Sequence, residues 1–107
     1  MRKRISIALL SIAVMLMAAC SSKPAPKTQT VVIDGFKFQP ALLTVNTGDM
    51  VVFTNQDMVP HNAVAEGKFD SGKLEQGKSW TYTAKDKGTF DYICTYHPNM
   101  KGQLVVQ

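Results

Sequence analysis

Cysteine and histidine are scarce in this chain, with two of each in 107 residues. Two cysteines exclude the disulfide framework that staples many small exported domains. Cys20 lies at the end of an apolar N-terminal run, so Cys94 is alone in the rest of the chain. A lone thiol in an exported protein is either reactive or occupied, and metal ligation would occupy it. Helical signals are missing as well. After Cys20 no window carries a convincing amphipathic pattern, and no internal repeat is visible. Long hydrophobic runs are limited to residues 5–19, interrupted by Ser6 and Ser11. That stretch is shorter than the roughly 20 apolar residues of a comfortable membrane-spanning helix. A strong excess of one charge is also absent. The formal +4 includes Arg2, Lys3 and Arg4, and beyond them nine scattered Lys face eight acids. No basic cluster alternates with aromatics, so nucleic-acid binding has no support.

What is present begins with the N-terminus. A basic start, an apolar middle and the small residues Ala18 and Ala19 have the layout of an export signal. With Cys20 next, the segment resembles a bacterial lipobox, in which the Cys is lipidated and becomes the new N-terminus. Met17 stands where such motifs usually carry Leu. The expected organisation is a signal peptide over residues 1–19, a tether over 20–29 and a folded domain over 30–107. The tether is small, polar and Pro-containing, which suits a flexible spacer between a membrane and a domain. The protein is then expected in the periplasm or cell envelope, anchored through lipid on Cys20.

The domain reads as strands. Val31, Val32 and Ile33 form a β-branched run, and Asp34-Gly35 is a turn signal. Phe36 and Phe38 suggest an edge strand that breaks at Pro40. Leu43 and Val45 alternate with Thr44. Residues 50–54 read as a buried strand, residues 80–82 alternate with period two, and residues 88–94 place Phe90, Tyr92 and Cys94 on one face. Leu104, Val105 and Val106 close the chain. Short strands with turns between them predict an all-β antiparallel sandwich or barrel. Residues 62–78 carry the weakest pattern, and a short helical turn is compatible with them.

The chemistry concentrates in Cys94-Thr95-Tyr96-His97-Pro98-Asn99-Met100, with His61 upstream behind Pro60. Taken singly, each residue has an ordinary reading: a surface His, a buried structural thiol, a core Met. Together they are the only two His and the only Cys outside the signal. Two His and one Cys with a weak axial Met describe a blue-copper electron-transfer site. The spacing Cys-x2-His-x2-Met ties three of them to one loop at a strand end.

The chain resembles a cupredoxin of the plastocyanin/amicyanin type. The resemblance runs through Phe38-Gln39-Pro40, Leu43-Thr44-Val45, residues 48–55, Pro60-His61-Asn62, residues 69–72, residues 88–94 and residues 102–106. The short loop matches amicyanin, whereas plastocyanins have a longer His-to-Met gap. The resemblance implies a Greek-key β-sandwich of about eight strands with copper at one end. It implies His61, Cys94 and His97 as strong ligands of one copper ion and Met100 as the weak axial ligand. Asn62 would tie the two ligand loops together with Thr95 as its partner. Tyr96 departs from the family, which usually has Pro at this place. A Tyr supplies a backbone N–H that a Pro lacks. That N–H is expected near the Cys94 sulfur, where a second hydrogen bond would favour Cu(I) and raise the reduction potential.

The function so implied is a type 1 copper protein, not an enzyme, that carries single electrons between transient protein partners. It is expected to be a monomer. His97 would be the exit route, with Val59, Pro60 and Pro98 as an apolar rim. The alternative is an envelope copper-binding or delivery protein without a dedicated redox partner. Delivery proteins often expose Met- and His-rich clusters, and three of the six Met here lie in residues 1–19. A Cys–His hydrolase would leave Met100 and His61 without a role. Zinc also takes Cys and His, but the thioether points to copper.

Overall fold

The computed structural model describes residues 24–107. The expected signal peptide, Cys20 and the first part of the tether lie outside the described residues. Nine strands follow in order: β1 (Thr28–Asp34), β2 (Lys37–Gln39), β3 (Leu42–Val45), β4 (Met50–Asn55), β5 (Val64–Ala65), β6 (Phe69–Asp70), β7 (Ser79–Thr83), β8 (Gly88–Ile93) and β9 (Lys101–Val106). No helix occurs among the described residues. The stretch that left room for a helical turn instead holds β5 and β6, each two residues long. Strand β1 begins two residues before the expected start of the domain. Its Thr28 and Gln29 lie opposite Met50 and Val51 of β4.

Two sheets form the sandwich, one ordered β2-β1-β4-β7 and the other β3-β9-β8-β5-β6. Most neighbours are antiparallel, but β1 runs parallel to β4 and β3 parallel to β9. An all-antiparallel sandwich is therefore corrected at these two pairings. The reason is the path of the chain: β3 lies in the other sheet, between β2 and β4. The chain leaves the first sheet and returns to it, and such a crossover can lay β4 parallel to β1, which a hairpin cannot.

The inward faces follow the period of two. Val31 and Ile33 of β1, Val51 and Phe53 of β4, Tyr92 of β8, and Leu104 and Val106 of β9 are buried. Burying each such side chain stabilises the fold by about 1.5–3 kcal/mol. Tyr92 meets Phe38 and Phe53 edge-on, with centroids 4.8 and 5.4 Å away. It lies across Gly102, its partner on β9. A Cβ at position 102 would land on the Tyr92 ring, so this close approach requires glycine. The Tyr92 hydroxyl is buried without a partner, and burial pushes its pKa far above the ordinary value. This core carries the ends of β4 and β8, from which the two ligand-bearing loops leave.

Candidate metal centre

Strand β8 delivers Cys94 into the core, where it is fully buried and unpaired. The chain then turns twice. The His97 N–H donates to the Cys94 carbonyl (3.2 Å), and the Met100 N–H donates to the His97 carbonyl (2.8 Å). Each bond closes a four-residue turn, so the x2 spacing sets Cys94, His97 and Met100 at successive turn ends. Pro98 takes the second position of the second turn, where its fixed φ fits. The Cys94 N–H donates to the Met100 carbonyl (3.1 Å) and closes the loop. Met100 is buried at the start of β9.

His61 comes from the other sheet's return loop. It is fully buried and pairs as an isolated bridge with Leu74. Its Nδ1 lies 3.6 Å from Cys94 Sγ, and His97 Nδ1 lies 3.9 Å from the same sulfur. Donor atoms of all three residues lie within 4.8 Å of one another. Thiolate, two imidazoles and a buried thioether at the end of the same loop form a soft-to-borderline set that fits copper.

A carboxylate orders this set from behind. Asp57 Oδ2 lies 2.8 Å from His61 Nε2. An ionised carboxylate can only accept, so Nε2 carries the proton and the Nδ1 lone pair is free towards the sulfur. The same carboxylate accepts the Gly35 N–H on Oδ1 (2.8 Å) and the Phe36 N–H on Oδ2 (3.0 Å). Burial alone would raise the Asp57 pKa. The N–H groups of Phe36 and Gly35, together with His61, outweigh it and hold the carboxyl below its ordinary range.

Gly35 and Phe36 both have positive φ, 60° and 57°. Their consecutive N–H groups make a small anion-binding concavity. For Phe36, which has a Cβ, the left-handed conformation costs about 1–2 kcal/mol. Its ring stands almost perpendicular to both imidazoles, with centroids 5.2 Å from His61 and 5.0 Å from His97. Buried Asn55 holds the Asp57 loop: its Nδ2 donates to the Val59 and Leu74 carbonyls, and its Oδ1 accepts the Asp57 N–H.

The other anticipated residues are found as follows. Asn62 and Thr95 exchange two bonds of 2.7 Å, Nδ2 to Oγ1 and backbone N–H to Oδ1. Tyr96 is 48% exposed. A bond from its N–H to Cys94 Sγ is not among the hydrogen bonds of the described residues. Asp57, Asn55 and Phe36 were not legible as site residues. A carboxylate four positions before a candidate ligand was the one available signal, and it identifies only Asp57. Phe36 reaches the imidazoles through strand pairing, which has no local signature.

The model of the family described as the cupredoxin-like domain matches residues 7–106. Amicyanin-alpha of Methylorubrum extorquens is 33% identical over 97 residues, which span 85% of this chain and 81% of that protein. The amicyanin of Paracoccus versutus is 29% identical over 81 residues, and there the match spans 61% of that protein. Among solved structures, a reduced amicyanin variant superposes with a TM-score of 0.71 at 30% identity, covering 75% of this chain and 82% of that one. A copper-containing nitrite reductase from Thermus scotoductus also reaches 0.71 at 31% identity, but the match covers only 23% of that chain.

Proposed function

The chain belongs to the cupredoxin family, and from that premise we propose that it is an exported one-electron carrier whose His61, Cys94, His97 and Met100 hold one copper ion. The carrying observation is the convergence of two imidazole nitrogens and one sulfur within 4.8 Å in a buried loop cluster. Bound there, copper would supply a one-electron Cu(I)/Cu(II) couple in a donor set that suits both states. The chain's own part is to keep those donors still. The two turns hold Cys94, His97 and Met100, the Asp57 bond holds His61, and the Asn62–Thr95 pair locks one loop to the other. Donors that hardly move as the charge changes mean little reorganisation, hence a low barrier.

His97 is only partly buried, so its ring edge is the exit route. Phe36 (50% exposed) lies against it, and exposed Met58 (86%), Val59, Tyr96 and Pro98, with half-buried Pro60, belong to the two loops that carry the imidazoles. Loop residues 56–60 and 94–100 contain one charged side chain, Asp57, and it is turned inward on His61. A transient partner docking on this face would do so with weak salt dependence. The protein acts as a monomer in the cell envelope, tethered through lipid on Cys20. One acyl chain binds a membrane only marginally, so stable anchoring needs more than one. Cys20→Ser should release the protein into the soluble envelope fraction or leave it unprocessed. Mass spectrometry that finds cleavage elsewhere, with Cys20 free or removed, defeats the anchor.

Addition of Cu(II) to the purified protein tests the central reading. One equivalent should give an intense blue colour, and the loaded protein should exchange electrons rapidly. A colourless adduct ends the copper reading. Blue colour with slow exchange favours the delivery role instead.

A further inference from the structure

We propose that Asp57 is a positioning residue for the metal centre: one carboxylate orients His61 and pins the left-handed Gly35–Phe36 turn, so that the Phe36 ring caps both imidazoles. The proposal rests on His61 and His97 being ligands, and it reaches beyond them to a turn that no ligand motif contains. Its first support is atomic. Oδ2 of Asp57 is shared by the Phe36 N–H and His61 Nε2, while Oδ1 takes the Gly35 N–H. His61 cannot change its tautomer or rotate without disturbing the oxygen that holds the turn.

The second support is conformational. Two consecutive residues at φ 60° and 57° need an anchor, and Phe36 has a Cβ that disfavours the region. The anion supplies that anchor through two N–H bonds. The third is the position of the ring. A half-exposed aromatic side chain would lose nothing by lying elsewhere on the surface, yet it stands edge-on to His61 and His97 at 85° and 89°. The two imidazoles are themselves 5.1 Å apart, so a single ring covers both. The dependency runs from Asn55 to Asp57, and from Asp57 both to His61 and to the cap. Ligand and cap are thereby ordered together.

The decisive measurement uses metal-free protein at neutral pH, so it does not depend on which metal the site takes. Nitrogen NMR should find His61 in the Nε2–H tautomer, with contacts between the Phe36 and His97 rings. Asp57→Ala should lower the exchange protection of the Gly35 and Phe36 amides by about tenfold or more, the scale of a lost bond to a charged acceptor. It should also erase the Phe36–His97 contacts. Phe36→Gly should leave the His61 tautomer unchanged while speeding copper loss to a chelator by about tenfold. If Asp57→Ala does not fold, Asp57→Asn decides: its amide keeps one acceptor oxygen of two, so the Gly35 and Phe36 amides should not both stay protected. Protected amides with ring contacts intact in Asp57→Ala overturn the proposal. So does full protection of both amides in Asp57→Asn, or a tautomer that follows Phe36→Gly. Failure of the blue colour with these results intact would count against copper and not against the positioning role.

Discussion

Strand β4 has a carboxylate just beyond each end, and the two do the same mechanical work. Before it, Asp49 accepts the N–H groups of Lys27 and Asn46 at 2.9 Å each. After it, Asp57 accepts those of Gly35 and Phe36. Lys27 precedes β1 and Gly35 follows it, so the pair clamps both ends of β1 to both ends of its parallel partner. The difference is one contact. Asp57 has a third partner, the imidazole of His61, and Asp49 has none among the described residues. A clamp for a crossover strand becomes part of a metal centre when the loop beyond it carries a ligand. The remote end orders the strand alone, whereas the near end orders the strand and touches an imidazole of the metal centre.

The sharpest way to break that contrast is Cys94→Ser. It removes the donor of thiolate-to-metal charge transfer, so the blue colour should vanish completely in absorption spectra. Asp49→Ala, by contrast, should leave the band unchanged. A blue Cys94→Ser protein means that the sulfur is misassigned.

Next in size is the cost at the remote end. Asp49→Ala leaves the Lys27 and Asn46 amides without their acceptor. The Tm of metal-free protein should fall by roughly 5 °C or more, as expected for a lost hydrogen bond in a domain this small. Calorimetry that shows no change would mean that β1 is held without this clamp. Acid sharpens the same point. The bonds from Lys27 and Asn46 hold the Asp49 carboxyl below its ordinary 3.8. In the unfolded chain it has the ordinary value. As pH falls past about 3.8 the unfolded state takes up the proton first, and stability declines until the folded carboxyl is protonated too. Above that window the contribution is complete. Stability of metal-free Asp49→Asn, measured against pH, should decline less steeply over the window than the parent. Equal slopes would remove Asp49 from the account.

These contrasts show what the chain could tell before its structure. The alternation of Phe90, Tyr92 and Cys94 and the Cys-x2-His-x2-Met spacing are local, because each strand alternates with itself and each ligand is one turn from the next. The parallel pairings of β1 with β4 and β3 with β9 are not local, since they depend on where the chain crosses between sheets. Asp57 differs from Asp49 in sequence only by standing four residues before His61, and the fold shows that it faces that imidazole. Strands β5 and β6 are too short to alternate, which is why residues 62–78 gave no pattern. The demand of Tyr92 for glycine at 102 likewise arises across strands.

Within the near end, Met100→Leu should have a smaller effect than Cys94→Ser. The axial bond is weak, so copper should stay bound and the blue colour should persist. The reduction potential should change, because a thioether near the metal is exchanged for a hydrocarbon. Voltammetry reads it directly. Loss of all copper would show that Met100 is a main ligand and would redraw the hierarchy of the loop.

The smallest effect is expected at Tyr96, where only a backbone N–H distinguishes this loop from one with Pro. If that N–H donated to Cys94 Sγ, Tyr96→Pro would return electron density to the thiolate and lower the potential. Among the described residues the sulfur's polar contacts are instead with His61 Nδ1 and His97 Nδ1, the other donor atoms of the site. The Tyr96 side chain is 48% exposed. Tyr96→Pro should therefore shift the potential by less than Met100→Leu does. Tyr96→Phe, which keeps the N–H and the ring, should match the parent. A large fall in potential in Tyr96→Pro alone would place the N–H on the sulfur once metal is bound. A similar fall in both variants would implicate the Tyr96 hydroxyl. Either result would extend the ordering of the near end from the Asp57 side of the site to the Cys94 loop itself.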